Sequence, residues 1–358
     1  MDENLAWKVV YAAAIFSLLV LGLAYYLISP REATFFSPER QEKIAEFSNT
    51  KIEGRKEGKK AWEFAAKSGW TEKDGFNTYL TKVERGKIYS DGKLTVRDLV
   101  AARVKIDRRA EIIEASGGVA MQTREGKIFA DRASIYRAAK RMVLADRVRI
   151  VRANGVALTA TSEYLSEPEQ LNADNGIRLE LKEGKIKTLV QADRAILYLA
   201  VDKDIPLSGG LEVAQGKKMA VADTGLYSRK QNVLQLKGRT RTVMEKAETL
   251  LKAETAAKLR RPDIKDILRE KTVVTADEIF FSTKTGDARA AGSVEVTQKG
   301  REAKADSAVY DDKHELLTLT GNVFMKKGED WLSARQVIVS IGKETFEAAE
   351  VKEAKFKL

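Results

Sequence analysis

The chain has 358 residues, 44% hydrophobic and 32% charged, so it can bury a core and is not a disordered polymer. It has no cysteine and one histidine, which excludes disulfides, thiolate metal sites and cysteine nucleophiles, and leaves His314 alone to serve any zinc site or Ser–His–Asp triad. Lys and Arg number 63 against 52 Asp and Glu, a formal charge of +11 that suits an anionic partner: nucleic acid, an anionic membrane surface or a phosphorylated lipid.

Val9 to Ser29 is 21 residues without a charge, and about 20 helical residues cross a bilayer's hydrocarbon core. Trp7 stands at one end and Tyr25 and Tyr26 near the other, where interfacial aromatics sit. A cleaved signal peptide is the competing reading. The segment ahead of the run carries Asp2 and Glu3 with one Lys8 rather than a basic stretch, and no A-x-A cleavage signal follows. Residues 1–30 are therefore read as an uncleaved single-span anchor. Flanking charges do not favour an outside location for the large domain, because Arg31, Arg40 and Lys43 follow the span. Residues 31–49 read as a linker, in which Ser37 and Pro38 have the form of an N-cap and first helical residue.

The next stretch alternates, with Trp62, Phe64 and Ala66 on one face, and Tyr79 to Val83 and Ile88-Tyr89 supply further strands. From about residue 100 the chain repeats. Ala130-Asp131-Arg132-Ala133-Ser134-Ile135-Tyr136 recurs as Ala192-Asp193-Arg194-Ala195-Ile196-Leu197-Tyr198, and shorter forms begin at Ala222-Asp223, Ala276-Asp277 and Ala305-Asp306. With weaker copies, the second anchor residue falls at 103, 131, 161, 193, 223, 254, 277, 306 and 335, steps of about thirty residues except for the short one after 254. Each unit has a second half, seen in Ser208-Gly209-Gly210-Leu211, Ala291-Gly292-Ser293-Val294 and Thr320-Gly321-Asn322-Val323. The glycine supplies a turn or bulge, and the alternation after it reads as a half-buried strand. The pattern predicts an all-β fold of short strands stacked along one axis. Ile264, Ile267 and Leu268 have helical spacing, which predicts a one- or two-turn helix within 260–270.

These anchors, recurring in phase behind one apolar span, resemble the lipopolysaccharide-export bridge family, which includes the inner-membrane LptC and the periplasmic LptA and shares an OstA-like β-jellyroll. The N-terminal part, with its span, linker and Trp62-Glu63-Phe64-Ala65-Ala66, looks like LptC; the repeats from Ala192 onward look like LptA. The resemblance implies an elongated jellyroll, one long or two in tandem, divided as an LptC-like part over 50–205 and an LptA/OstA-like extension over 206–358. It departs from an ordinary LptC in its extra length. It also implies the location: inner membrane, single-pass, large domain in the periplasm. The implied function is non-enzymatic transport, in which lipopolysaccharide is received from an ABC transporter and passed toward the outer membrane. No G-x-x-x-x-G-K-[ST] motif is present, so a partner supplies the energy.

An open V-shaped sheet has an apolar inner face along which acyl chains could lie. The candidate groove residues are Trp62, Phe64, Val119, Met121, Val148, Ile150, Ile177, Leu179, Leu211, Val213, Val294, Val296, Val323 and Met325. The competing reading of the same residues is a plain solenoid core, which corresponds to a membrane-anchored structural scaffold without cargo. Asp131, Asp193, Asp223, Asp277 and Asp306 invite a glycosidase reading, but one carboxylate per unit is the pattern of a turn or strand-start residue bonding backbone N–H groups. No catalytic residue, metal site or cofactor is expected. Nucleic acid is not expected either, since no module or stacking stripe is visible. The sheet ends are expected to pair by strand edges, near Gln336–Ile341 with an LptA-like or outer-membrane LptD-like jellyroll, and near Ile52 and Trp62 with the transporter.

Overall fold

The computed structural model describes residues 43–356 apart from 125, 154, 168, 184–185, 199–201, 246–259, 261–267 and 341–342. The predicted span and the Ser37-Pro38 segment lie outside the described residues. Among the described residues no helix is long and apolar enough to cross a membrane.

Strand follows strand. The first eight are β1 (Lys43–Lys56), β2 (Lys59–Glu72), β3 (Asn77–Ser90), β4 (Lys93–Asp107), β5 (Ile112–Gln122), β6 (Lys127–Tyr136), β7 (Arg141–Arg152) and β8 (Gly155–Leu165). Shorter pieces come next: β9 (Gln170–Ala173), β10 (Ile177–Glu183), β11 (Ile186–Ala192) and β12 (Arg194–Tyr198). Then come β13 (Ile205–Gln215), β14 (Lys218–Ser228), β15 (Val233–Met244), β16 (Thr272–Ser282), β17 (Ala288–Gln298), β18 (Arg301–Asp311), β19 (Leu316–Lys327), β20 (Asp330–Ser340) and β21 (Thr345–Lys355). All pair antiparallel in one sheet, each long strand with the next. In the middle β8 pairs with both β9 and β10, and β13 with both β11 and β12, so these pieces act as two long strands broken in half. Hydrogen bonding is therefore continuous across the 205/206 boundary. β1 begins at Lys43, so residues 43–49, expected in the linker, belong to the sheet. Of the helix expected within 260–270, only Leu268 and Arg269 among the described residues are helical, and most of that segment lies outside them.

Tight turns make the meander possible. Glu57-Gly58 and Asp91-Gly92 are two-residue loops with positive φ at both positions, the hairpin geometry that matches strand twist.

The repeat lies differently from its expected place at strand starts. The Ala-Asp anchors and Gly-x pairs fall in the middle of strands, where the pairing register shifts, as between Val221/Thr224, Thr275/Glu278 and Ala291/Val294, except that Asp193 lies in the break between β11 and β12. Gly209, Gly238, Gly292 and Gly321 have φ of 75°, 74°, 75° and 79°, and the neighbouring strand's Asp193, Asp223, Asp277 or Asp306 occupies the space a Cβ would take. An extra residue on one strand bends the pair. Repeated down the stack, these bulges crease the sheet into two arms, and the inward residues of both arms form the interior. The burial pattern changes phase at the crease: in β16 the inward positions are Thr272, Val274 and Ala276 before Asp277, then Ile279 and Phe281 after it.

The rims of the creased sheet meet. Turns at 57–58, 91–92 and 216–217 lie on one rim, and those at 108–111, 137–140, 283–287 and 312–315 on the other. Contacts join them at regular intervals. Lys56 pairs with Glu111 at 2.5 Å, Asp91 with Lys140 at 3.1 Å, and Arg124 with Glu169 at 3.1 Å. Gln215 Nε2 donates to Ser282 O at 3.0 Å, and Lys218 Nζ to Gly286 O at 2.7 Å.

Candidate functional site

The interior is filled unequally. Of the large fully buried side chains, Phe64, Leu80, Ile88, Leu99, Ile106, Ile113, Ile128, Leu144, Ile150, Leu171 and Leu211 precede residue 212, while Leu234, Leu236 and Phe281 follow it. The C-terminal strands place smaller residues at equivalent inward positions. β17 has Ala288 and Ala290 where β7 has Met142 and Leu144, and β18 has Ala303 where β6 has Ile128. Volume withdrawn from both arms leaves a void rather than a collapse, because the hydrogen-bonded creases hold the arms apart. The result is an apolar cavity of about 770 Å³ running from Lys218 at the start of β14 to Phe346 and Phe356 at the last strand. That volume is within the range of small-molecule and lipid-tail sites, roughly 300–1,000 Å³. Seven strand steps at about 4.8 Å make it roughly 34 Å long.

Phe281, Ile279, Val274, Leu317, Leu319, Leu332 and Val339 form its walls. Arg301, Lys326 and Lys327 stand at its rim beside Trp331, which stacks on Phe324 with ring centroids 6.1 Å apart. The cation at its inner end is Lys218, whose side chain is 7% exposed. Besides Gly286 O, its Nζ approaches Asp312 Oδ1 at 3.4 Å and lies 4.9 Å from the Tyr310 ring centroid. Asp312 is held in turn, its backbone N–H donating to Asp287 Oδ1 at 2.9 Å. Burial pulls the Lys218 ammonium below its ordinary pKa, and the Asp312 carboxylate opposes that pull. Burial, reinforced by Asp312 and Glu315, raises the Tyr310 phenol. The Tyr310 hydroxyl is buried with no hydrogen-bond partner among the described residues.

The fourteen sequence-derived groove residues all lie on the inner face, but the structure does not bring them together at one opening. Val296 and Met325 line the cavity. Val294 and Val323 are buried beside the crease of the same strands. Trp62, Phe64, Val119, Met121, Val148, Ile150, Ile177, Leu179, Leu211 and Val213 are packed in the filled part of the interior. Trp62 and Phe64 stack on each other with centroids 5.6 Å apart. The readings from sequence took residues that follow the glycines, which belong largely to one arm. They missed the opposite arm, with Ile279, Phe281, Ala308 and Tyr310. They also missed the alanines, whose appearance at inward positions of β17 and β18 was the available signal.

The recurrent aspartates do not form an acid–base pair. Asp223 accepts from Arg239 at 2.6 Å and Asp131 from Arg147 at 2.8 Å, each across a crease, and Asp306 accepts from Asn322 at 3.1 Å. These three bond side chains opposite the bulge rather than backbone N–H groups at strand starts. His314 is an exposed turn residue whose Nδ1 lies 2.7 Å from Asp311 Oδ2. No cluster of metal-ligating side chains occurs among the described residues. A second cavity, about 260 Å³, lies in the N-terminal seam among Lys56, Asp91, Glu111 and Lys140 and is mainly polar.

Two strands have free edges among the described residues. β1 pairs with β2 alone, and β21 with β20 alone. The expected edges shift accordingly: Trp62 is on β2 and Gln336 on β20, both paired on two sides, while Ile52 is on the free β1. Both edge strands are largely exposed.

Residues 302–357, which hold most of the cavity's outer half, match the family described as LptA/(LptD N-terminal domain) LPS transport protein. No curated protein matches the chain. Among solved structures, LptH, the LptA-homologous periplasmic component of the lipopolysaccharide transport device of Pseudomonas aeruginosa, is similar over 39% of this chain and 93% of its own, at 16% identity and a TM-score of 0.30.

Proposed function

We propose that this chain is a non-enzymatic periplasmic component of lipopolysaccharide transport and that its C-terminal cavity holds acyl chains of the cargo. One observation carries the reading: the outer part of the open apolar cavity is lined by residues of the segment that matches an LPS transport family. Apolar walls gain about 25 cal/mol for each Å² taken out of water, without a directional demand, so the site favours hydrocarbon of many shapes. Arg289, Arg301, Lys326 and Lys327 line it together with Glu302, Asp330 and Glu344, and those cations suit the phosphates that such a lipid carries, through charge-assisted hydrogen bonds. The finer parts of the proposal come from the sequence: Val9–Ser29 as an inner-membrane anchor, an LptC-like role in taking lipopolysaccharide from an ABC transporter, and strand-edge pairing of β1 and β21 with jellyrolls on either side.

A photo-crosslinking amino acid at Val296 or Met325, introduced in cells, is expected to capture lipopolysaccharide. Absence of adducts at both positions would refute the cavity as a cargo site. The filled interior from β2 to β13 favours a second reading for that part, a structural solenoid that carries the cavity without holding lipid. It predicts no adduct at Val119 or Ile150.

A further inference from the structure

The cavity ends at a buried charge. No residue before Lys218 lines it, although the inward row continues without a break into Val213 and Leu211 of β13. At that point Lys218 reaches from one rim to the other and is held there by Gly286 O and Asp312. Beside it Gln215 spans the same gap to Ser282 O and also donates to Thr188 Oγ1 at 2.9 Å. Both cross-ties are buried, with Gln215 4% exposed and Lys218 6%. An alkyl chain pushed farther inward would have to strip these groups of their partners, and a buried ammonium without partners is far more costly than an unfilled apolar gap.

An anionic head at the inner end is the alternative orientation, and the local charges argue against it. The ammonium already faces Asp312, Asp287 lies behind Asp312, and Glu315 is buried nearby. The cations that face outward stand four and five strands farther along, on β18 and β19, with Glu302 and Asp330 among them. Heads therefore belong at Arg301, Lys326 and Lys327, and tail ends at Lys218.

We propose that Lys218, with Gln215 behind it, is the stop that sets how much hydrocarbon the cavity accepts from a molecule seated in it. The inference rests on the reading of the cavity as an acyl-chain site. It makes Lys218 a specificity-determining residue for chain length.

The test uses the full chain and a series of saturated lysophosphatidic acids from decanoyl to stearoyl, their affinities read by displacement of a fluorescent fatty acid. Each methylene that enters the cavity adds about 0.8 kcal/mol, or about fourfold in affinity. In the wild type the gain is expected to continue to one chain length and then level off where the methyl end meets Lys218. In Lys218→Met the slope is expected to be the same and the levelling to move to longer chains, whereas Lys218→Arg levels where the wild type does. A Lys218→Met plateau at the wild-type length overturns the stop while leaving the cavity as a lipid site. No dependence on chain length in any variant overturns both. A second measurement needs no substitution. A stearoyl probe with a diazirine at its methyl end should label residues such as Thr242, Phe281 or Tyr310 in the wild type, and labelling of Leu211 or Val213 would overturn the proposal.

Discussion

The crease is the feature from which the interior follows, and Gly292→Ala tests it. Gly292 is at φ 75°, and an added Cβ would stand 2.9 Å from both Cβ and Cγ of Asp277, with the carboxylate oxygen closer still. The left-handed backbone costs a residue with a Cβ about 1 kcal/mol or somewhat more. Displacing Asp277 adds overpacking, typically about 1–3 kcal/mol. Together they predict a loss of roughly 2–4 kcal/mol, read by equilibrium urea unfolding with tryptophan fluorescence. The two parts separate in a double-mutant cycle. Asp277→Gly removes the whole side chain, Cβ included, so Gly292→Ala on that background should retain only the backbone cost, a coupling of about 1 kcal/mol or more. If Gly292→Ala is within about 0.5 kcal/mol of wild type, the size of an ordinary surface change, the crease does not depend on this contact. If its cost is unchanged when Asp277 is removed, the strain lies in the backbone alone.

Two further outcomes follow from the unequal interior and from the N-terminal rim. Ala133 and Ala308 occupy the same place in the repeat, the former packed and the latter on the cavity wall; tryptophan at Ala133 should destabilise by about 1–3 kcal/mol through overpacking, whereas tryptophan at Ala308 should leave stability near wild type and weaken fatty-acid displacement at least tenfold. Glu63 hydrogen-bonds Lys60 at 2.7 Å and pairs with Lys51 at 3.0 Å, which lowers its carboxyl from 4.5 to about 2. A carboxylate depressed by folding stabilises fully above its unfolded pKa and loses that contribution as pH falls through the folded value. Glu63→Gln should therefore be less stable than wild type at neutral pH, and the gap in urea midpoint should close between about pH 4.5 and pH 2; a gap independent of pH would show that packing, not charge, sets it.

The fold class was legible because its signals are local. Alternation in segments such as Ile205-Pro206-Leu207 and Val294-Glu295-Val296 marks strands, and the period of the anchors marks stacking. What was hidden depends on neighbours. Asp277 reads as a strand-start residue until it is placed against Gly292 of the next strand, and only then does the Ala-Asp/Gly-x alternation become a line of bulges. The C-terminal edge was misplaced by a strand because β21, Thr-Phe-Glu-Ala-Ala-Glu-Val-Lys-Glu-Ala-Lys, is charged and weakly alternating; an edge strand buries neither face well and so leaves a faint pattern. The cavity was the least legible feature. An inward valine looks the same in sequence whether its neighbours fill the space, as around Ile150, or withdraw from it, as around Val296. The difference lies in alanines on other strands.

The packed stem and the open cavity are one architecture in two fillings, and the seam determines how separate they are. In the stem the arms are held together by their side chains, each buried Ile or Leu contributing about 1.5–3 kcal/mol. An acyl chain entering between the arms would restore much of that contact, so packing alone is a modest barrier to hydrocarbon. The polar ties across the rims decide the rest. Those of the stem are exposed: Arg124 is 82% accessible in its pair with Glu169, and Asp91 72% in its pair with Lys140. Pairs of that kind are worth about 0–1 kcal/mol. Lys218 is different, because its cross-tie is buried and parting it leaves a desolvated ammonium. The strongest lateral closure of the molecule therefore stands at the inner end of the cavity, where a sliding hydrocarbon would meet it first.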